Sequence, residues 1–245
     1  MTFIDLCAGI GGFSLGLEGA GMACKGQVEI DEYCNKVLQK HWPDVPRWGD
    51  IKTLDPQALP AVELVCGGYP CQPFSQTGHR QGESDPRHIW PYILPIIDHI
   101  RPTWCLFENV AGHVRLGLDN VCLDLEEAGY SVGPGIIPAC TVGAWQRRDR
   151  VWILAHSNAK GDTVRGEWAF SQVAKTLRGG IDNRGRTTEF CGWQWWERQP
   201  GVARVVHGVS DRVDRNNALG NAVVPQIVYE IGRCIMAAHY AASRA

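Results

Sequence analysis

Short apolar segments of strand length alternate with amphipathic segments of helical length through the first half of the chain. The strand-like segments are residues 3–7, 26–30, 64–67 and 104–108, and the helical ones are residues 13–20, 32–41, 88–100 and 118–128. This alternation is typical of parallel strands joined by crossover helices. At 245 residues the chain has room for one such sheet and a small extra lobe. The sequence therefore predicts an α/β fold with a sheet covered on both faces, whose ligands bind beyond the carboxyl ends of the strands.

The second half of the chain predicts a different organisation. Two β-like segments, 136–139 and 150–155, are suited to a hairpin at the edge of the sheet. Residues 156–205 lose periodicity and gain Gly, Arg and Trp, before a helical pattern returns at 221–242. We therefore expect three parts: a first domain at 1–155, an inserted recognition lobe at 156–205, and a C-terminal segment at 206–245 that returns to the first domain.

Charge is unevenly distributed along the chain. The whole sequence carries a formal net charge of −2, but residues 141–215 hold 13 Lys and Arg against 8 Asp and Glu. A basic segment on an acidic body is expected where a protein contacts phosphate groups. An Arg-rich loop exposed to solvent would have the same composition, so charge alone leaves nucleic-acid binding open.

The ten cysteines lie mostly within apolar runs and include no Cys-x-x-Cys pair. This pattern is typical of reduced thiols in an intracellular protein, and it argues against disulfides and a structural zinc site. The chain has no apolar run of eighteen residues, and Asp5 lies where a signal peptide would carry positive charge. We therefore expect a soluble, cytoplasmic protein that binds neither a membrane nor a metal.

A glycine-rich turn, Gly9-Ile10-Gly11-Gly12, joins the first predicted strand to the first helix. Such glycines let the backbone approach a ligand and leave helix N–H groups free, although many such turns are only structural. Glu29 ends the next strand about twenty residues later, where an acid can accept both hydroxyls of a ribose. Asp50 follows beside the third strand, where its carboxylate could accept a hydrogen bond from an adenine amino group. Because the G-x-G-x-x-G pattern for a pyrophosphate is absent, an adenosine-containing ligand without phosphates is favoured over NAD.

Cys71 lies between Pro70 and Pro73, directly after the apolar segment that ends in Gly67-Gly68. A proline-bounded turn at the carboxyl end of a central strand directs its side chain into the ligand crevice, which favours a nucleophile over a buried structural thiol. Glu108 ends the neighbouring strand after four apolar residues. Its carboxyl should therefore be partly desolvated, with a raised pKa. A helix-capping or salt-bridging role for Glu108 is the alternative.

Five motifs occur in an order that resembles the DNA cytosine-5 methyltransferases, including their compact phage- and prophage-borne members. The motifs are Asp-Leu-Cys-Ala-Gly-Ile-Gly-Gly-Phe at 5–13, Pro-Cys-Gln-Pro-Phe-Ser at 70–75, Glu-Asn-Val at 108–110, Gln-Arg-Arg-Asp-Arg at 146–150 and Gly-Asn-Ala-Val-Val-Pro at 220–225. The resemblance covers both ends of the chain and fails only across 156–205. It implies a Rossmann-like, S-adenosylmethionine-dependent methyltransferase sheet with a small inserted target-recognition lobe.

The resemblance implies transfer of a methyl group from S-adenosylmethionine to carbon 5 of a cytosine that is flipped out of double-stranded DNA. In the family a thiolate adds to carbon 6 of the ring while a glutamate donates to nitrogen 3. By position these roles fall to Cys71 and Glu108. Arg148 and Arg150 match the family's Gln-x-Arg-x-Arg motif, which implies hydrogen bonds to the cytosine carbonyl, the DNA backbone or the catalytic loop.

The resemblance also implies which residues bind the cofactor and the DNA. Cofactor contacts fall on Asp5, Cys7, Ala8, Gly9, Gly11, Gly12, Phe13, Glu29, Ile30, Asp50, Ile51, Gly68, Pro70, Asn221, Ala222 and Val223. Position 7 is often phenylalanine in the family, so cysteine makes that contact weaker or different. Residues 75–84 resemble the loop that closes behind the flipped base. DNA contacts are assigned to Ser75, Gln76 and Arg80 and, within the lobe, to Arg165, Arg178, Arg184 and Arg186.

Two alternatives remain open from the sequence. One branch of the family keeps Pro-Cys-Gln and Glu-Asn-Val but methylates tRNA, and a catalytically inactive DNA-binding regulator could share the fold. Intact Cys71 and Glu108 argue against the regulator, since binding alone requires no nucleophile. The cluster of Trp193, Trp195 and Trp196 suits the core of a small lobe better than stacking on displaced bases. We further expect a monomer that has a cognate restriction endonuclease as a partner and protects DNA from restriction.

Overall fold

Strands and helices alternate along the first half of the chain. The computed structural model describes residues 1–70, 89–115, 117–158, 171–173, 175 and 212–241. The strands are β1 (Thr2–Leu6), β2 (Ala23–Val28), β3 (Arg47–Trp48), β4 (Leu64–Gly67), β5 (Trp104–Val110), β6 (Tyr130–Pro138) and β7 (Asp149–Ser157). The helices are α1 (Gly12–Gly19), α2 (Glu32–His41), α3 (Trp90–Ile100), α4 (Leu118–Glu127), α5 (Arg212–Asn221) and α6 (Pro225–Ala241). Short 3₁₀ turns occupy Pro56–Ala58, Ala111–Arg115 and Ala139–Val142.

The strands form one seven-stranded sheet in the order β3-β2-β1-β4-β5-β7-β6. The first five strands in this order, β3, β2, β1, β4 and β5, are parallel to one another, and β1 lies between β2 and β4. Strand β7 runs antiparallel to both β5 and β6. The predicted parallel sheet with a hairpin at its edge is therefore confirmed. The hairpin strand β6 is longer than predicted, and its Pro134 fits an edge strand because proline cannot donate to a second neighbour.

Alternating side chains of each strand enter two separate hydrophobic cores, one on each face of the sheet. Phe3 of β1 packs in a core with helices α1 and α6, whereas the next residue, Ile4, packs in a core with α3 and α4. Strand β5 divides in the same way between Leu106 and Phe107. Burial on both faces explains why these strands are continuous apolar runs in the sequence.

The C-terminal helix α6 packs directly on α1 near the start of the chain. A side chain at Gly16 of α1 would lie 2.6 Å from the carbonyl oxygen of Pro225 and from Cβ of Val228, so a glycine permits this close approach. The predicted helix over 221–242 is corrected at its start. Asn221 ends α5, residues 222–224 form a short linker, and α6 begins at Pro225, a residue well suited to a first helical turn.

Among the described helices, none has the length and apolar character needed to cross a membrane. Within the same residues, no group of three or more His, Cys, Asp or Glu side chains is arranged to hold a metal ion. The cysteines in the described ranges are free thiols.

Candidate active site

A cavity of about 580 Å³ lies where β1, β2, β4 and β5 end. One side, which we call the β1–β3 half, consists of the turns after the first three strands: Cys7, Ala8, Gly9, Glu29, Ile30, Asp50 and Ile51. The opposite side, the β5–β7 half, consists of Glu108, Asn109 and Val110 after β5 and Arg150 at the start of β7. The cavity therefore lies at the carboxyl edge of the parallel strands, where the alternation of strands and helices predicts a ligand site.

Glu29 joins two turns of the β1–β3 half. Its Oε2 accepts a 2.6 Å hydrogen bond from the backbone N–H of Gly9, and its Oε1 accepts one of 2.8 Å from the N–H of Asp31. Asp31 in turn caps α2 by accepting a hydrogen bond from the N–H of Cys34. A carboxylate can accept about four hydrogen bonds, so Glu29 keeps lone pairs for ligand hydroxyls while its position is already fixed.

The two left-handed glycines of the first turn have different roles. Gly9 has φ 56° and no heavy atom within 4 Å of the position of an added Cβ, so its backbone is open to the cavity. Gly11 has φ 85°, and an added Cβ would lie 2.4 Å from the ring of Trp42. Gly11 is therefore required by packing against Trp42, and it does not line the cavity. Cys7 also lies in the left-handed region, at φ 59°.

Asp5 is fully buried beneath the turn, away from the cavity. Its Oδ2 accepts hydrogen bonds from the Ser14 backbone N–H at 3.2 Å and the Ser14 hydroxyl at 2.8 Å. Burial raises the pKa of Asp5 to about 7, although the Ser14 hydrogen bonds oppose the shift. Phe13 is likewise buried and packs edge-on against Trp152 at 5.9 Å. Neither residue lines the cavity, so the predicted direct contacts are corrected to support from below.

Glu108 is the buried acid of the β5–β7 half, 7% exposed at the end of β5. Its Oε1 lies 2.9 Å from Nε of Arg150, which comes from the adjacent antiparallel strand β7. Burial raises the pKa of Glu108 to about 7, and the positive charges of Arg150 and Arg148 act in the opposite direction. The raised pKa predicted from the apolar run before Glu108 is confirmed. At neutral pH this carboxyl can hold a proton and donate it.

Gly67 and Gly68 allow the chain after β4 to pass close to both neighbouring strands. A Cβ at Gly67 would lie 2.1 Å from the carbonyl oxygen of Leu6 in β1. A Cβ at Gly68 would lie 3.4 Å from Oε2 of Glu108. The paired glycines therefore let the segment that leads to Cys71 leave the sheet beside the Glu108 carboxyl.

Arg148 connects the β6–β7 turn to the linker between α5 and α6. Its Nη2 donates to the carbonyl oxygens of Gly220 at 2.9 Å and Ala222 at 2.7 Å. These residues flank Asn221, and all three line the cavity. The resemblance assigns Arg148 to the cytosine, the DNA or the catalytic loop, but here its guanidinium holds the C-terminal segment against the site.

The structure brings together most of the predicted site residues. The cavity is lined by Cys7, Ala8, Gly9, Gly12, Glu29, Ile30, Asp50, Ile51, Gly68, Pro70, Glu108, Arg150, Asn221, Ala222 and Val223. Asp5, Gly11, Phe13 and Arg148 support the cavity without lining it. The remaining predictions, Cys71, Ser75, Gln76, Arg80, Arg165, Arg178, Arg184 and Arg186, lie outside the described residues, as do Trp193, Trp195 and Trp196.

Several residues of the site have no prediction from the sequence. Cys34, Lys52, Tyr69 and Ala218 also line the cavity. Tyr69 directly precedes the Pro-Cys motif, which was a usable signal. Ala218 carries no local signal, because α5 reaches the site from a distant part of the chain. The Tyr69 hydroxyl lies 2.9 Å from Nε2 of His113, and this contact between distant residues could not be predicted from the sequence.

The sheet order and the cavity define a Rossmann-like fold of the methyltransferase class. A model of the C-5 cytosine-specific DNA methylase family matches residues 1–177. The chain therefore belongs to this family, which confirms the resemblance drawn from its five motifs.

Comparison with curated proteins finds similar bacterial enzymes. The chain is 42% identical over 160 residues to the Type II methyltransferase M.HgiCII of Herpetosiphon aurantiacus, in a match that covers 62% of this chain and 36% of the relative. It is 32% identical over 163 residues to the Type II methyltransferase M.HhaI of Haemophilus parahaemolyticus, covering 64% of this chain and 50% of the relative. The chain thus spans between about a third and a half of the length of these relatives.

Solved structures share the fold. A DNMT2 mutant of Spodoptera frugiperda superposes with a TM-score of 0.56 at 26% identity, covering 65% of this chain and 50% of that one. S. pombe Dnmt2 methyltransferase has a TM-score of 0.58 at 22% identity, covering 77% of this chain and 57% of that one, and shows the fold alone.

Proposed function

We propose that this protein transfers a methyl group from S-adenosylmethionine to carbon 5 of a flipped-out cytosine in DNA. One observation carries the proposal: the Glu108–Arg150 pair faces the same cavity as the Glu29 turn. An acid with a pKa of about 7 is suited to protonating a base, and the opposite wall is suited to a nucleoside. The Type II methyltransferase relatives favour DNA as the substrate.

The whole cavity is large enough for S-adenosylmethionine, and its β1–β3 half has suitable chemistry. A cavity of about 580 Å³ is within the usual range for a ligand of this size. Glu29 is placed for the ribose hydroxyls and Asp50 for the adenine amino group, while Ile30, 69% exposed, offers an apolar surface to a ring. The open backbone at Gly9 and residues 221–223, at the end of α5 and the start of the linker, complete the pocket. When bound, S-adenosylmethionine supplies the electrophilic methyl group.

Cys71 and Glu108 perform the activation in this proposal. The Cys71 thiolate forms a bond to carbon 6 of cytosine while Glu108 gives its proton to nitrogen 3, which makes carbon 5 nucleophilic. After methylation of carbon 5, a base removes the carbon 5 proton and the bond to sulfur breaks, which releases the Cys71 thiolate. Nitrogen 3 returns its proton to Glu108, and the aromatic ring is restored. Arg150 holds the Glu108 carboxyl and offers donors to the cytosine carbonyl.

The turn that leads into β7, whose Arg150 lines the cavity, is suited to a nucleic acid. Trp145 is 87% exposed in the turn before β7, and Arg147, two residues later, has a side chain that is 81% exposed. Exposed aromatic and cationic side chains suit stacking on bases and contacts with phosphates. We also propose that Ser75, Gln76 and Arg80 contact DNA, together with the arginines of an inserted recognition lobe at 156–205.

Assembly and cellular context belong to the same proposal. Both halves of the cavity come from one chain, so the chemistry requires no second copy, and we propose a monomer in the cytoplasm. Relatives that are Type II methyltransferases fit a role in restriction-modification with a cognate endonuclease. The molar mass measured by light scattering coupled to gel filtration tests whether the protein is a monomer.

Covalent trapping tests the function. Fluorine at carbon 5 of cytosine blocks the final proton removal, so the protein stays bound to DNA through Cys71. The protein is incubated with S-adenosylmethionine and duplex DNA of random sequence that contains 5-fluorocytosine, and SDS-resistant complexes are separated. Cys71→Ser is the matched control.

A complex that forms with wild type and is absent with Cys71→Ser supports the proposal, and sequencing the trapped DNA gives the target site. A complex on fluorinated tRNA but not on DNA would replace DNA by RNA as the substrate. DNA binding without any covalent complex would contradict the proposed enzyme.

A further inference from the structure

Tyr69 directly follows Gly67, which ends β4, and Gly68, and it lies two positions before Cys71. Its side chain is turned into the protein, where it is 5% exposed. The hydroxyl lies 2.9 Å from Nε2 of His113, which is 4% exposed in the 3₁₀ turn after β5. Two buried polar groups therefore satisfy each other at a residue that lies two positions before Cys71 in the sequence.

Strand β5, which carries Glu108, and the 3₁₀ turn that follows it contact Tyr69 through three residues. Nδ2 of Asn109 donates to the Tyr69 carbonyl at 3.2 Å, and the Phe107 ring packs edge-on against the Tyr69 ring at 6.1 Å. His113 holds the hydroxyl and also packs edge-on against the ring at 5.6 Å. Glu108 lies between the first two of these contacts in sequence. The position of Tyr69 is therefore tied to the strand that positions the proton donor.

Helix α3 provides a further contact to the Tyr69 ring through Trp90. The Trp90 ring lies 5.4 Å from the Tyr69 ring, and its Nε1 donates a 2.7 Å hydrogen bond to Asp124 of α4. The Tyr69 ring thus has fixed neighbours on several sides. A hydrogen bond adds direction that apolar packing lacks, because it specifies one rotation and one depth for the side chain.

We propose that Tyr69 and His113 form a positioning pair that fixes where the Cys71 segment leaves the sheet relative to the Glu108 carboxyl. The inference rests on the proposed function, since the pair acts by presenting the nucleophile and the proton donor to the same ring. Neither residue transfers a proton or touches the reacting atoms in this role. Displacement of a catalytic group by about 1 Å can cost about a hundredfold in rate, so a small loss of alignment is measurable.

The test compares the rate of covalent attack with the stability of the fold. Tyr69→Phe removes only the hydroxyl, His113→Leu removes the partner, and His113→Gln places an amide group where Nε2 lies. Tyr130→Phe is the matched control, because Tyr130 is also buried. Its hydroxyl donates a 2.9 Å hydrogen bond to the Pro102 carbonyl just before β5, at the end of the strand away from Glu108. Each variant is measured for single-turnover adduct formation on 5-fluorocytosine DNA, for the Kd of DNA and S-adenosylmethionine, and for Tm.

A positioning role predicts that Tyr69→Phe and His113→Leu each slow adduct formation about tenfold at saturating ligands, with both Kd values within about twofold. The double variant should be no slower than either single one, since each removes the same contact. His113→Gln should recover most of the rate. Tyr130→Phe should lower Tm by a similar amount and leave the rate unchanged.

Equal adduct rates for wild type and Tyr69→Phe, with only Tm lowered, would overturn the inference and leave the pair a structural contact. Full additivity of the two single variants would also overturn it. Failure of the proposed function is distinguishable, because wild type itself would then form no adduct.

Discussion

Asp5 and Glu108 are both buried carboxylic acids, and they lie in opposite halves of the site. Burial raises the pKa of each to about 7. Asp5 is enclosed beneath the β1–β3 half and bonds to Ser14, which is uncharged. Glu108 faces the cavity and pairs with Arg150. Two acids with similar titration thus have different consequences: the proton on Asp5 affects stability, and the proton on Glu108 affects chemistry.

The two halves also differ in how the chain builds them. In the β1–β3 half, Glu29 and Asp31 hold their turns largely through backbone N–H groups of the neighbouring turns. In the β5–β7 half, the important contact joins two side chains from distant parts of the chain, Glu108 and Arg150. We therefore expect changes in the first half to alter cofactor binding, and changes in the second to alter the rate of the reaction.

The largest effect is expected for Glu108→Gln. A glutamine cannot donate a proton at neutral pH, so methyl transfer at saturating substrates should slow by about a hundredfold or more. The Kd of S-adenosylmethionine, measured by calorimetry, should stay within about threefold, because the β1–β3 half is intact. A large loss of cofactor affinity with an unchanged rate would contradict the division between the halves.

Glu29→Gln should have the opposite profile. Loss of a charged acceptor for the ribose should weaken S-adenosylmethionine binding about tenfold or more, with little change in the rate at saturating cofactor. Glu32→Gln is the control, since Glu32 is an exposed acid on α2 that pairs with Lys36. If both variants bind the cofactor like wild type, Glu29 has no part in the pocket.

Arg148→Met tests the connection between the halves. Because Arg148 holds the Gly220 and Ala222 carbonyls, its loss should free the linker and weaken S-adenosylmethionine binding about fivefold. Arg233→Met, at an arginine on α6 that is 61% exposed, is the control. An effect on the reaction rate alone would instead favour a direct contact of Arg148 with the cytosine.

The smallest effect is on stability, in Asp5→Asn. The pKa of Asp5 is raised in the folded protein. The stability that Asp5 contributes is therefore fully present below the unfolded pKa of 3.8 and is lost as pH rises through about 7. Asparagine does not titrate, so the Tm of the variant relative to wild type should rise between pH 4 and 7. We expect a change of at least about 1 kcal/mol in the free energy of unfolding. Parallel curves of Tm against pH for wild type and Asp5→Asn would contradict the raised pKa of Asp5.

The β1–β3 half was largely predictable from the sequence, because its signals are local. The strand, glycine turn and helix around Gly9 all lie within residues 2–19, and Glu29 follows directly after the next strand. The parallel sheet and its edge hairpin also follow from apolar patterning. Asp5 and Gly11 show the limit of this reasoning, because burial and the approach of Trp42 depend on tertiary packing.

The β5–β7 half was predictable only in part. An acid that follows an apolar run is a visible signal, and the raised pKa of Glu108 agrees with it. The Arg148 contacts join residues 72 and 74 positions apart, and the Tyr69–His113 pair joins residues 44 positions apart. Such contacts depend on the packing of remote elements, which sequence spacing does not specify.

The pH dependence of adduct formation tests the central claim most directly. Single-turnover rates on 5-fluorocytosine DNA are measured from pH 5.5 to 9 for wild type, Glu108→Gln and Asp5→Asn at saturating ligands. Because Glu108 must carry its proton, the wild-type rate should fall as pH rises above about 7, after any increase from formation of the Cys71 thiolate. Asp5→Asn should keep this decrease, and Glu108→Gln should lose it. The same decrease in Glu108→Gln, or its absence in wild type, would contradict the assignment of Glu108 as the proton donor.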